Sequence, residues 1–365
     1  MKSRFTFVLL LAAAAGFYAL TTMAGVQGAP TPPTPPEPPS VMPTLPPMPE
    51  IAPLEAAESA APTRPAAPPM AAISAVPAEP SNAFGWNHGR SVSVSDGNHH
   101  PISDCSDLHI RFDGGDAVMK SEVRTVTKAE APILRVRPHT NGGAQVQGWD
   151  KDNYSVTACK AVADARDAEK LFSQIKLSVQ GGEVSTVGPD DERDWTVYLL
   201  IRAPKAAVID LETANGPLSL YSVDGKLTAR ATNGPITLRD FSGDADIQAS
   251  NGPISVSGGS GNVRIHTQNG PISVNLEGKS WSGAGLTADA QNGPLTLSVP
   301  SDYQSSFVVE SRNYSPMSCR ASICDNARKT WDDNHRRIEF GNSPATIRLS
   351  TVNGPVSVQS SRGEM

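Results

Sequence analysis

The sequence predicts an all-β fold, a β-solenoid-like stack of two-strand coils with one short helix in its N-terminal half. Three observations carry that expectation: a repeat of fixed period, apolar–polar alternation inside each repeat, and glycine or asparagine at the corners. Asn-Gly-Pro recurs at Asn215-Gly216, Asn233-Gly234, Asn251-Gly252, Asn269-Gly270, Asn292-Gly293 and Asn353-Gly354. The first three intervals are 18 residues and the fourth is 23. A fixed period of this kind points to stacked supersecondary units.

Each Asn-Gly-Pro opens a strand: LSL, ITL, ISV, ISV, LTL and finally VSV. Alternation of period two with β-branched residues marks a strand with one buried face. Ten residues after the Asn stands a second glycine, at Gly225, Gly243 and Gly261, and another alternating strand follows. Its inward positions are Leu227, Ala229 and Ala231, then Ala245, Ile247 and Ala249, then Val263, Ile265 and Thr267. Asparagine tolerates the left-handed region and glycine adopts it freely, which is the expected reason for both at the corners. An antiparallel meander or sandwich also satisfies the alternation. Near-identity at an 18-residue period favours the solenoid, because coils about 4.8 Å apart bring like residues onto like.

The rest of the chain is ordered around this stack. Lys2 and Arg4 precede an apolar run from Phe5 to Ala24, so residues 1–25 read as a secretory signal or, through residues 5–24, a membrane anchor. Residues 26–83 are proline-rich; the stretch 29–82 holds 18 of the 32 prolines. Such a segment joins neither helix nor sheet and forms an extended spacer. Residues 84–200 read as irregular β-rich sequence, with a helix over Ala163–Lys176 capped by Asp164. Residues 201–365 carry the repeats, interrupted by an insertion at 313–341 that is expected to cap the open end of the stack. The net charge of −6 lacks any dense basic run, which argues against nucleic acid as a partner. Four cysteines in an exported chain permit two disulfides in three connectivities. The spacing in CRASIC makes Cys319–Cys324 the economical pair and leaves Cys105–Cys159. A zinc site would need these pairs to meet, and no CxxC is present.

With the repeats aligned, the chain resembles the DUF4097 group of bacterial adhesin-like proteins. The stretches VYLLIRAPKAAVIDLETANGPLSLYSVDGKLTARATNGPITL and LEGKSWSGAGLTADAQNGPLTLSVP are similar to that group's serial strand–glycine units. The resemblance covers roughly residues 105–360. It implies an exported β-repeat module of architectural rather than catalytic character, in the periplasm or at the cell surface. Proline after Asn-Gly, and the cysteine-bearing segment near residue 320, depart from the group's pattern.

No catalytic constellation or cofactor site emerges from the residues. Asp224, Asp240, Asp244, Asp246 and Asp289 do not share one repeat position. Outward rows such as Thr228, Asp246 and Arg264, or Arg230, Gln248 and His266, mix charges as solvated surfaces do. His88, His99, His100 and His109 read as loop and strand residues, two or three of which are candidates for a transition metal, with the unliganded loop reading favoured; Asp332, Asp333 and His335 read as a turn. The basic residues Arg320, Arg328, Lys329, Arg336 and Arg337 are interspersed with Asp325, Asp332 and Asp333 and read as a solvated face rather than a phosphate-binding patch. One surface is regular: Ser219, Thr237, Ser255, Ser273 and Thr296, continued by Ser357, stand between the inward residues of each first strand. That row is the candidate binding face, for a cell-surface glycan or an envelope protein. Small hydroxyl residues also suit the outer face of a tight stack without binding anything. The expected function is adhesion or structural interaction by a non-catalytic envelope protein, with glycan-binding or envelope-sensing in the periplasm as the alternative and a carbohydrate-active enzyme behind both.

Overall fold

The structure is a computed structural model that describes residues 92–95, 100–190, 194–313, 315–332, 334–344 and 346–361. The expected targeting segment and proline-rich spacer lie outside the described residues, as do His88, His99 and Asp333. Among the described residues no helix is long and apolar enough to cross a membrane.

The described residues begin with a small antiparallel sheet of β1 (Val92–Ser95), β2 (His109–Phe112) and β3 (Gly115–Asp116). Then come β4 (Val118–Thr127), β5 (Leu134–Arg137), β6 (Ala144–Trp149), β7 (Asn153–Val162), helix α1 (Ala168–Gln174), β8 (Lys176–Gln180), β9 (Glu183–Val187) and β10 (Trp195–Pro204). The repeats supply paired arms. These are β11 (Val208–Thr213) with β12 (Leu218–Tyr221), β13 (Lys226–Asn233) with β14 (Ile236–Arg239), and β15 (Asp244–Asn251) with β16 (Ile254–Ser257). Next are β17 (Asn262–Asn269) with β18 (Ile272–Asn275), and β19 (Gly285–Asn292) with β20 (Leu295–Val299). The chain closes with β21 (Phe307–Arg312), β22 (Met317–Cys319), β23 (Arg328–Trp331), β24 (His335–Phe340), β25 (Ile347–Asn353) and β26 (Val356–Ser360).

Successive arms pair in parallel, with Ile236 beside Ile254 beside Ile272 on one sheet and Ala229 beside Ile247 beside Ile265 on the other. A meander would pair neighbours antiparallel, so the repeats form a solenoid whose two walls are an 11-stranded and a 12-stranded sheet. Leu218, Ile236, Ile254, Ile272 and Leu295 line one inner wall and Leu227, Ala229, Ile247, Ile265 and Leu286 the other, all essentially sealed from solvent. Each large aliphatic side chain so buried contributes about 1.5–3 kcal/mol.

The corners hold for a different reason from the one the residue types suggest. None of Gly216, Gly234, Gly252, Gly270, Gly293 and Gly354 has a positive φ, and among the ladder asparagines only Asn313 does. Glycine is required at the Asn-Gly corner because successive turns lie on top of one another. A Cβ at Gly252 would overlap the carbonyl of Gly234, and each glycine in the column faces its predecessor in the same way. At the opposite corner the left-handed explanation does apply, since Gly243 and Gly261 have φ of 123° and 96°.

Both ends depart from the simple repeat. At the N-terminal end β6 and β5 start the two walls in parallel with β12 and β11, whereas β7 and β4 continue one wall antiparallel. Helix α1 closes the core there with Ala168, Phe172 and the adjoining Ile175. It is shorter than the expected Ala163–Lys176, because the Asp164 carboxylate accepts from the backbone and guanidinium of Arg166 and fixes a turn before the helix. Asp167, not Asp164, occupies the cap position, without a side-chain capping bond.

At the C-terminal end the chain leaves β20, skips one level, and lays β21 and β22 beyond it. It then folds β23 and β24 as an antiparallel hairpin on β21, and returns so that β25 and β26 fill the skipped level. Hence β25 pairs in parallel with both β19 and β21, and β26 with both β20 and β22. The segment 313–341 is therefore more than an interruption: Asn313 and Met317–Cys319 belong to the outermost coil, and only β23–β24 is a cap hairpin. Ala321, Ile323 and Cys324 plug the core at this end.

Candidate functional site

Parallel register at one residue position turns a sequence pattern into a surface. Ser219, Thr237, Ser255, Ser273, Thr296, Ser357 and Ser318 lie side by side across β12, β14, β16, β18, β20, β26 and β22. Ser318 donates to Ser357 at 3.4 Å. Beside the row runs a second one, Arg239, Ser257, Asn275, Ser298 and Gln359, in which Asn275 donates to Ser257 at 3.1 Å and Gln359 to Ser298 at 3.1 Å. The strand-opening prolines form a third. The result is a flat face of short polar side chains on a backbone held by ladder bonds.

The expected face needs one correction. Ser219 is 1% exposed, and its hydroxyl has no hydrogen-bond partner among the described residues. Past it the same row continues through Gln145 to Leu200 and Thr157. Residues 102–112 lie over this end: Gln145 donates to the Ile102 carbonyl and accepts from the Ile102 N–H, both at 2.8 Å. Ile102, Leu108, Ile110 and Phe112 bury against Tyr198 and Leu200. The Cys105–Cys159 disulfide, with Cα atoms 5.5 Å apart, pins this cover; Cys319 pairs with Cys324 at the other end. The accessible row thus runs from Thr237 to Ser318. Because the first disulfide closes a separation of 54 residues, replacing Cys105 and Cys159 together by alanine is expected to lower stability by about 4 kcal/mol in the chain-entropy model. Urea unfolding of the purified variant checks this; an unchanged midpoint would show that the cover holds without the bond.

The Asn-Gly corners build a second regular feature. Side-chain amides donate from each coil to the next in one direction: Asn313 to Asn353, Asn353 to Asn292, Asn292 to Asn269, Asn269 to Asn251, Asn251 to Asn233, Asn233 to Asn215, and Asn215 to Asn141. All seven bonds measure 2.8–3.2 Å. Such a chain polarises along its length, each bond strengthening its neighbours. Sequence reasoning missed both ends of this ladder and the flanking members of the hydroxyl row. The signals were present: Asn141-Gly142-Gly143 followed by Ala144-Gln145-Val146 is a copy lacking proline, and Asn313-Tyr314-Ser315-Pro316 is one lengthened before it.

On the opposite wall the outward row Arg230, Gln248, His266, Asp289 and Ser350 places a serine, an acid and a histidine on neighbouring strands. Their order is wrong for nucleophilic catalysis. Ser350 donates directly to Asp289, and the imidazole of His266 lies on the far side of the carboxylate, where it cannot take the serine proton. Two of the basic residues near the cap are held in ion pairs. Arg337 bridges to Glu310, and Arg328 to Glu339 at 2.6 Å. The hydrogen bond from Arg328, with the charges of Arg328 and Arg337, holds the Glu339 carboxyl below its ordinary range. Among the described residues no group of three or more His, Cys, Asp or Glu is placed to hold a metal ion.

No family model matches the chain, and no curated protein matches it. Several solved structures are similar at low identity. A "putative adhesin" of Bacteroides fragilis is 11% identical over 66% of this chain and 97% of that one, with a TM-score of 0.34. Another, of Parabacteroides distasonis, is 9% identical with the same coverages and a TM-score of 0.36. A "putative lipid binding protein" of Parabacteroides distasonis is 11% identical over 66% of this chain and 96% of that one, with a TM-score of 0.31. Likeness at this level assigns no role to any residue of this chain.

Proposed function

We propose that this chain is an exported, non-catalytic envelope or surface protein whose solenoid holds the row Thr237, Ser255, Ser273, Thr296 and Ser357 as a rigid adhesion face. The observation that carries the reading is the parallel register, which places these hydroxyls on adjacent strands of one open wall. Neighbouring strands are about 4.8 Å apart, so the face offers evenly spaced donors and acceptors to an extended polymer of hydroxyl groups, as in a cell-surface glycan. A preformed face of this kind loses little conformational entropy on binding. The basic start and apolar run at residues 1–25, the proline-rich spacer and the paired cysteines fit export and display away from a membrane.

The test is a binding screen of the full chain against glycans and envelope fractions, with a Ser255→Lys/Ser273→Lys variant alongside. Saturable binding by the native chain, lost in a variant with an unchanged circular dichroism spectrum, is the expected result. Equal binding by both proteins would remove the hydroxyl row from the reading. Binding by neither would leave the repeat as architecture only.

A further inference from the structure

Among the described residues each wall ends in strands paired on one side only, and three of the four are short. β22 has three residues, β23 four and β8 five, whereas β4 has ten, all paired on one side with β7 and none of them proline. Short edge strands resist accidental pairing; a long regular one invites it.

Hydrogen bonds at the ends of β4 reveal which backbone groups face outward. Lys128 donates its N–H to the Asp152 carbonyl at 3.2 Å, continuing the register with β7, so even-numbered residues bond to β7. Thr127 instead gives its N–H to the Glu130 carboxylate at 2.9 Å, and Ala117 gives its own to the Ile110 carbonyl at 2.9 Å. Alternate residues of an antiparallel strand point their N–H and C=O to opposite sides. The groups of Met119, Ser121, Val123 and Thr125 therefore point off the edge of the sheet.

We propose that β4 is a strand-addition edge whose occupant is β4 of a second copy, antiparallel about a two-fold axis at Val123. Outward residues must meet outward residues, which leaves few registers. Centring on Glu122 opposes two carboxylates and sets Lys120 against Arg124 twice; centring on Arg124 opposes two guanidinium groups. Centring on Ser121 overlaps only Val118–Arg124. Centring on Val123 overlaps Met119–Thr127, puts Ser121 opposite Thr125, and sets each Glu122 opposite the second copy's Arg124. Glu122 already meets Arg124 of its own strand at 2.7 Å, so the four charges alternate in sign around the axis. Opposite charges directly across strands stabilise pairing and like charges oppose it. At the axis stands Val123, at 56% the most exposed large hydrophobic residue among the described residues, and each copy covers the other's. The two 11-stranded walls become one continuous sheet with isologous symmetry.

The experiment is sedimentation of the full chain, with Val123→Pro and two variants that each add one cysteine, Thr125→Cys and Val123→Cys; position 125 faces Ser155 of β7, away from the native disulfides. The N–H of Val123 faces off the sheet, so proline there removes no bond to β7. The expected results are a dimer for the native chain, a folded monomer for Val123→Pro, and a disulfide-linked dimer from Val123→Cys but not Thr125→Cys, whose cysteine would face Ser121 of the second copy. Opposed residues of an antiparallel hydrogen-bonded pair stand about 5.5 Å apart at Cα, within disulfide reach. A monomeric native chain, as when another segment of the same chain covers β4, overturns the proposal. So does a dimer that survives Val123→Pro, or preferential cross-linking through position 125. Should Val123→Pro fail to fold, the two cysteine variants still decide the matter.

Discussion

Replacing Gly252 by alanine is expected to destabilise the solenoid by more than about 4 kcal/mol, at the severe end for a single substitution. The added Cβ would overlap the Gly234 carbonyl oxygen and lie 2.8 Å from its carbon and 3.2 Å from its nitrogen. These are backbone atoms, bound into the ladder on both sides, and cannot rotate away as a side-chain tip would. Relief requires the coils to part, which strains the ladder bonds of β16 and the Asn233–Asn251–Asn269 amides together. Gly278 is the internal control: its φ is +66°, yet nothing lies within 4 Å of a Cβ there. Alanine at 278 is expected to cost about 1–2 kcal/mol, the ordinary penalty of a left-handed residue. Denaturant unfolding of both variants separates the causes. A Gly252→Ala protein as stable as Gly278→Ala would mean that the column tolerates separation and that close approach is not what demands glycine.

Ending the chain after Gly341 is expected to have an effect of similar size and a structural signature of its own. The lost coil buries Ile347, Leu349, Val356 and Val358, each 2% exposed or less. Four such side chains represent about 6–12 kcal/mol of gross burial, comparable with the whole stability of a typical domain. The loss is offset only if β21 and β22 drop one level onto β19 and β20. The repeat permits that move in phase: Phe307 would pair with Leu286 in place of Ile347, and Asn313 would donate to Asn292 in place of Asn353. We expect the truncated chain to fold with lowered stability and a closed gap. Cysteines at 292 and 313 report it directly. In the full chain they are two levels apart, about 9–10 Å, beyond disulfide reach; in the truncated chain they should cross-link readily. A truncated protein that folds without forming this cross-link would show that the skipped level stays open.

Much of the fold was legible in advance because the repeat is local and redundant. Ile236, Ile254 and Ile272 announce their own alignment, and the alternation around them says which face is buried. The candidate row was legible for the same reason, since Thr237, Ser255 and Ser273 occupy one position of that pattern. What was not legible depended on contacts between distant segments. Nothing near Ser219 in the sequence says that its hydroxyl is buried, or that Gln145 and Leu200 extend its row under residues 102–112. The helix was overextended because Asp164 looks like a cap until its carboxylate is seen holding Arg166. The Asn-Gly corner was explained by the wrong property of glycine, since an intrinsic backbone preference can be read from residue type and a neighbour's carbonyl cannot.

The sequence by itself determined the coil period, the inward and outward residues and the asparagine ladder's central members. All of these follow from spacing along the chain, where a period of 18 admits one in-phase stack. Only the tertiary structure decided that β25 and β26 return to a skipped level, that α1 and the cap hairpin close the ends, and that β4 is, among the described residues, a long edge strand. Those choices turn on which distant strands compete for the same unpaired backbone groups, and hydrogen-bond demand of that kind leaves no mark in the local pattern of residues.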